Sequence, residues 1–126
     1  MNIDRLDHLV LTVADVERTC AFYETVMGFS AIAFDDGRRA LVFGRQKINL
    51  HQAGREFEPK ALRPTPGSAD LCFIAQTPLD EVLRHLSRCE VAVIEGPVER
   101  TGALGRMLSV YFRDPDLNLL EVSNYA

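Results

Sequence analysis

A chain of 126 residues, 47% hydrophobic and 25% charged, is long enough to fold as a single domain around one core without disulfides or a structural metal. The net charge of −4, with Lys and Arg scattered rather than gathered into a stripe, argues against a nucleic-acid partner, and no stretch approaches the length of a membrane span. Three cysteines (Cys20, Cys72 and Cys89) without CxxC spacing read as reduced thiols, and the N-terminus lacks a leader pattern, so a cytoplasmic protein is expected.

The first element, "DHLVLTV", alternates: Leu9, Leu11 and Val13 share one face and His8 lies on the other. A helix follows, capped by Asp15, carrying Val16, Tyr23, Val26 and Met27 on its apolar side and stopped at Gly28. Three strand candidates come next, "FSAIAF", "RALVFG" and "KINLHQ", separated by "DDGR" and "GRQ". The segment "AGREFEPKALRPTPGS" has the proline and glycine content of a linker.

The pattern then repeats. "ADLCFIA" alternates in the same phase as the first strand, 62 positions on from Asp7 to Ala69, and puts Asp70 where His8 stood. Thr77 is expected to cap the second helix, whose core stripe is Leu79, Val82, Leu83 and Leu86; His85 falls off it. "VAVIEGPVER", "RMLSVYF" and "LNLLEVS" complete the second half, the last two joined by the turn "RDPD". This places Glu121 opposite His51 in the repeat, 70 positions on, with the larger offset assigned to a longer loop, "RTGALG". The expected architecture is α+β: one domain over 1–126 built of tandem βαβββ modules, the first at about 4–52, a linker at about 53–68 and the second at about 69–124. The modules are expected to form a cup-shaped mixed sheet with the helices on its outer face.

Four ionisable residues, His8, His51, Asp70 and Glu121, therefore interrupt apolar strands at repeat-equivalent places. Each alone is an ordinary strand residue, but their recurrence in register points to a shared site. With His8 beside His51 and Asp70 beside Glu121, two imidazoles and two carboxylates would suit one divalent transition metal, Mn, Fe, Co, Ni or Zn. Asp70 is short enough to orient a ligand instead of binding directly. Arg100 and Arg106 flank the glycine-bearing loop as candidate anchors for an anionic substrate group, and Cys72 shares Asp70's face as a candidate pocket residue.

These residues resemble the vicinal oxygen chelate superfamily of glyoxalase I, extradiol dioxygenases and bleomycin and fosfomycin resistance proteins. "DHLVLTV…FYETVMGF" is similar to its opening strand and helix, and "YFRDPDLNLLEV" to its closing hairpin. More narrowly, "INLHQAGREFEPKALRPTPGSADLCFI" is similar to the short glyoxalase-domain-containing proteins. By position, the resemblance implies ligand slots at His8, His51 and Glu121. Asp70 stands where most members carry His, the slot of His51 usually carries a carboxylate, and Leu117 replaces the usual turn glycine. The resemblance implies a lyase or isomerase acting on a small substrate with vicinal oxygens, through a metal-bound enediolate-type intermediate, with Glu121 as ligand and base. It leaves two alternatives, an Fe(II) extradiol ring-cleaving dioxygenase and a metal-free binding or resistance protein. It also implies a homodimer, and a metal site either shared between chains or closed within one.

Overall fold

The structure, a computed structural model, describes residues 1–126. The chain divides into two compact units, Met1–Pro66 and Gly67–Ala126. The division falls inside the expected linker.

The first unit runs β1 (His8–Val13), α1 (Val16–Met27), β2 (Ser30–Phe34), β3 (Arg38–Phe43) and β4 (Gln46–Gln52). Its four-stranded sheet has the order β1-β4-β3-β2; β1 lies parallel to β4 and the other pairs are antiparallel. The parallel pair follows from chain path, since α1, β2 and β3 all intervene between β1 and β4. Leu11, Val13, Leu41, Ile48 and Leu50 are buried on one face, and Tyr23, Cys20 and Val26 of α1 are buried with them. Removing a side chain the size of Leu41 from water contributes about 2 kcal/mol. Asp15 caps α1 by accepting from Arg18 N at 3.1 Å, and Gly28 ends it at φ +70°, both as the sequence predicts. Beyond that stop, Phe29 stacks between Tyr23 and Phe43, its ring centroid 5.7 and 4.3 Å from theirs.

The second unit repeats this plan with β5 (Asp70–Ile74), α2 (Leu79–Arg88), β6 (Glu95–Gly102), β7 (Gly105–Arg113) and β8 (Leu119–Tyr125), in the order β5-β8-β7-β6. Again the first and last strands are the parallel pair. Leu79 and Leu86 of α2 are buried together with Val110, Phe112, Leu120 and Val122. The α+β class and the βαβββ repeat are thus both present.

Three local expectations are corrected. Thr77 does not cap α2: the cap residue is Pro78, with no side-chain bond of its own, and Asn124 from β8 accepts from Leu79 N at 2.7 Å instead. Gln52 of β4 does the same for α1, accepting from Val16 N at 3.1 Å, so in each unit the last strand supplies an amide to the helix start. The second strand of the second module, β6, starts at Glu95 rather than Val91, with a shift in pairing register between Glu95 and Val98. Gly96 sits there at φ +111°, where a Cβ would lie 2.4 Å from Ser109 O, so only glycine fits.

The third correction concerns "RTGALG". It is not a long loop, because β6 and β7 extend into it until Gly102 pairs with Gly105. The second unit is longer through its strands, 8 and 9 residues against 5 and 6 in β2 and β3. At that tip a Cβ on Gly102 would lie 2.6 Å from the Tyr125 hydroxyl and displace it.

Candidate functional site

Pairing registers decide which side chains are neighbours. In the first unit His8 pairs with Lys47, Val10 with Asn49 and Thr12 with His51. His8 and His51 share the face away from the buried apolar side, but four residues separate them along parallel strands, about 13 Å of rise. That is too far for two rings standing off one sheet face to meet at one ion, and it replaces the expectation that they are neighbours. In the second unit Asp70 pairs with Leu119 and Glu121 with Cys72. Asp70 and Glu121 are therefore diagonal same-face neighbours, two residues apart, within reach of one another's side chains.

The same diagonal step from His8 arrives at Asn49. Val10 opposite Asn49 and Cys72 opposite Glu121 are equivalent pairs, so the structural counterpart of Glu121 is Asn49 and that of His51 is Ser123. The helix-start amides Gln52 and Asn124 agree, being displaced by the same 72 positions that separate Asn49 from Glu121. Asn49 is 6% exposed, and its Oδ1 is a buried side-chain atom with no hydrogen-bond partner. A buried acceptor left without a donor costs roughly 1–3 kcal/mol, so an orphan at this position calls for an explanation.

His8 is half-exposed, and its Nδ1 lies 2.9 Å from Asp7 Oδ2. That contact leaves Nε2 as the free ring nitrogen, the arrangement in which a carboxylate fixes the orientation of a ligating imidazole. Asp7 is held below the usual carboxylate range, chiefly by this bond to His8. His51 has a different setting. It is 4% exposed, with the Phe57 ring against it edge-on, centroids 5.4 Å apart. Burial first, and then the positive charge of Arg38, push its pKa below the ordinary 6.5.

Glu121 is 9% exposed in a row of polar groups drawn from three strands. Ser123 Oγ donates to Glu121 Oε2 at 3.3 Å, Ser109 and Ser123 hydroxyls are 2.6 Å apart, and Cys72 Sγ lies 3.5 Å from Ser123 Oγ. Tyr111 pairs with Glu121 across β7 and β8 and receives a hydrogen bond from Arg100 Nε at 3.0 Å. Burial raises the Tyr111 phenol, the bond from Arg100 lowers it, and the Glu121 carboxylate raises it further. The Cys72 thiol is likewise pushed up, first by burial and also by Glu121, with the Ser123 hydrogen bond working against them. It is not an activated nucleophile.

The two candidate arginines separate. Arg100 pairs with Met107, on the face that carries Glu121 and Tyr111, and also bonds Glu95 at 3.1 Å. Arg106 precedes Met107 and so lies on the opposite face, where it pairs with Glu99. In neither unit do three His, Cys, Asp or Glu side chains group closely enough to hold a metal ion. On its polar face each unit brings a first-strand residue within a diagonal step of a last-strand one: His8 and Asn49 in the first, Asp70 and Glu121 in the second.

Comparison with known proteins identifies the family. The profile of the Glyoxalase/Bleomycin resistance protein/Dioxygenase superfamily matches residues 5–122. The chain belongs to that superfamily. It is 61% identical over 126 residues to virulence protein STM3117 of Salmonella typhimurium, covering all of this chain and 88% of that one. The crystal structure of STM3117 superposes with a TM-score of 0.99 at 60% identity, each chain covered in full. The glyoxalase domain-containing protein RDO1 of Mycosarcoma maydis is 54% identical over 125 residues, 99% of this chain and 70% of that protein. A remoter structure shares the fold at 21% identity and TM-score 0.68, covering 99% of this chain and 93% of its own: the fosfomycin resistance protein FosX of Listeria monocytogenes, complexed with Mn(II) and a dihydroxypropylphosphonic acid. No helix of the chain is long and apolar enough to cross a membrane.

Proposed function

We propose that this protein is a divalent-metal-dependent enzyme of the glyoxalase type, a lyase or isomerase that moves a proton beside a carbonyl of a small substrate with vicinal oxygens. The observation that carries the reading is the repeat-equivalent placement of His8 with Asn49 and of Asp70 with Glu121, one pair on the polar face of each sheet. One neutral imidazole, two carboxylates and one amide oxygen balance a dication and suit Mn, Fe, Co, Ni or Zn. The orphaned Oδ1 of Asn49 supports the fit, because a cation gives a buried acceptor the partner it lacks in the chain. His8 would bind through Nε2, with Nδ1 retained by Asp7.

Such a metal, when bound, supplies Lewis acidity toward a substrate oxygen. The chain's own groups do the rest. Glu121 accepts the proton from the carbon acid, and Ser123, donating to Oε2, keeps the carboxylate oriented. Tyr111, held by Arg100, stands beside Glu121 as a hydroxyl able to donate to a developing oxyanion. Arg100 is committed to holding Tyr111 and to Glu95, Cys72 lines this face, and Arg106 takes no part.

Each face brings together only two of the four proposed ligands, so we extend the proposal to a homodimer in which the His8 face of one chain meets the Asp70 and Glu121 face of a second copy. Mixed dimers of His8→Ala and Glu121→Ala chains then recover one intact site, and inactive mixtures contradict the sharing. The ring-cleaving alternative needs two histidines and a carboxylate on one iron. The register that separates His8 from His51 counts against it.

Solvent deuterium incorporation tests the activity. Metal-loaded protein in D2O, given a panel of α-hydroxy aldehydes and ketones, is expected to exchange the proton beside the carbonyl, and Glu121→Gln to abolish this. Oxygen uptake with catechols and no exchange would replace the reading by the dioxygenase, and binding without either would replace it by a sequestering protein.

A further inference from the structure

The polar face of the first unit carries a second constellation that the proposed metal chemistry does not use. Arg38 and Phe34 are a cross-strand pair, and Lys47 lies on β4 two residues before Asn49, on the same face. The Arg38 guanidinium lies 5.2 Å from the Phe34 ring centroid and the Lys47 ammonium 4.1 Å from that same centroid. Arg38 also reaches Phe57, 5.4 Å from its centroid. The two cationic centres are thus no farther apart than those two distances to Phe34 together.

Both side chains are half-buried, and neither forms an ion pair, whereas six other Arg or Lys side chains pair with a carboxylate. Ring quadrupoles attract each cation separately but do not cancel their mutual repulsion. Two like charges share one aromatic ring in a partly desolvated place; no carboxylate pairs directly with either, Asp7 sensing Lys47 only at longer range, so the site has room for an anion. Their fork and point-charge geometries accept a planar carboxylate or a phosphoryl group. Phe57 is half-exposed beside them and offers an apolar wall to whatever carries the anion.

We infer that Arg38 and Lys47, framed by Phe34 and Phe57, bind the anionic end of the substrate, which is therefore a small organic carboxylate or phosphoryl compound. Lys47 stands about 7 Å along β4 from Asn49. Both lie on the polar face of the first sheet, the ammonium over Phe34 of β2. The inference rests on the proposed function only for where the reacting end lies; the anion site itself needs no metal.

Calorimetric titration of chelator-treated protein tests it, with succinate and inorganic phosphate as probes and succinamide as the uncharged control. The expected result is saturable binding of at least one anion and none of succinamide, weakened at least tenfold by Arg38→Gln or Lys47→Gln and abolished in the double variant. Lys47→Arg should retain binding, and Arg84→Gln, which removes an equal charge from the exposed side of α2, should leave it unchanged. Tighter succinate binding assigns a carboxylate substrate, and tighter phosphate binding a phosphoryl one. Binding of neither, or equal binding by the folded double variant, overturns the inference. Because no metal is present, this outcome is separate from failure of the metal-dependent activity.

Discussion

Asn49 and Glu121 occupy one position in two copies of the same sheet, Asn49 opposite Val10 and Glu121 opposite Cys72. One is a neutral amide with an unpartnered buried oxygen, the other a carboxylate among hydroxyls. The chemical asymmetry of the repeat is concentrated in this pair. If Asn49 Oδ1 faces the metal, a carboxylate there should strengthen uptake through added ligand charge. Asn49→Asp is predicted to tighten divalent metal binding about tenfold or more and Asn49→Leu to weaken it, as read by competition with a chelating dye. Equal affinity across the three proteins would make Asn49 a structural residue.

His51 predicts a pH dependence of stability. Its folded pKa lies below the ordinary 6.5, chiefly through burial. The unfolded chain therefore takes up a proton first as the pH falls. Stability is full above about 6.5 and declines as the pH drops through the lowered folded value. Chemical denaturation between pH 8 and 5 should show this decline, and His51→Gln should flatten it. An unchanged slope in His51→Gln would assign the acid sensitivity to other groups.

The amides that begin the helices make a stability prediction. Asn124 accepts from Leu79 N and donates to Ala75 O and Thr77 O, each at 3.0 Å. Asn124→Ala strips all three bonds and is expected to cost about 2 kcal/mol. Gln52→Ala, which removes the bonds to Val16 N and Ala14 O, should cost somewhat less. Urea titration decides; a loss under a few tenths of a kcal/mol for Asn124→Ala would show that water replaces it.

Leu117 is the one exposed apolar residue forced into left-handed backbone, at φ +68° and 67% exposed. The turn around it is held by Asp114, whose carboxylate accepts from Asp116 N, Asn118 N and Asn118 Nδ2. Leu117→Gly removes the Cβ strain without touching those bonds and should stabilise by about 0.5–1 kcal/mol. A lower melting temperature for this variant would contradict that account.

Much of the fold is legible in the chain because its signals are local. The alternation in "HLVLTV", the Asp15 and Gly28 helix ends and the stripe through Leu79 and Leu86 each depend on a few adjacent residues. The site is less legible because it depends on register between distant strands. Matching His51 to Glu121 looked natural on ionisable character alone, yet aligning Gln52 with Asn124 as helix-start amides would have given Asn49 directly. Thr77 failed as a cap for the same reason: the partner that displaced it lies 47 residues away in sequence. The cation pair of Arg38 and Lys47 has no sequence signal, since it is the ring of Phe34 that both side chains reach.

The central proposal is a metal centre formed by His8 and Asn49 of one chain with Asp70 and Glu121 of a second copy. Its most direct test is elemental analysis of tag-free protein, followed by titration of Mn, Fe, Co, Ni and Zn into chelated protein. The predicted result is one transition metal per chain, lost on His8→Ala and on Glu121→Ala but kept in His51→Gln. Absence of metal after every titration, or loss on His51→Gln with retention in His8→Ala, would contradict it.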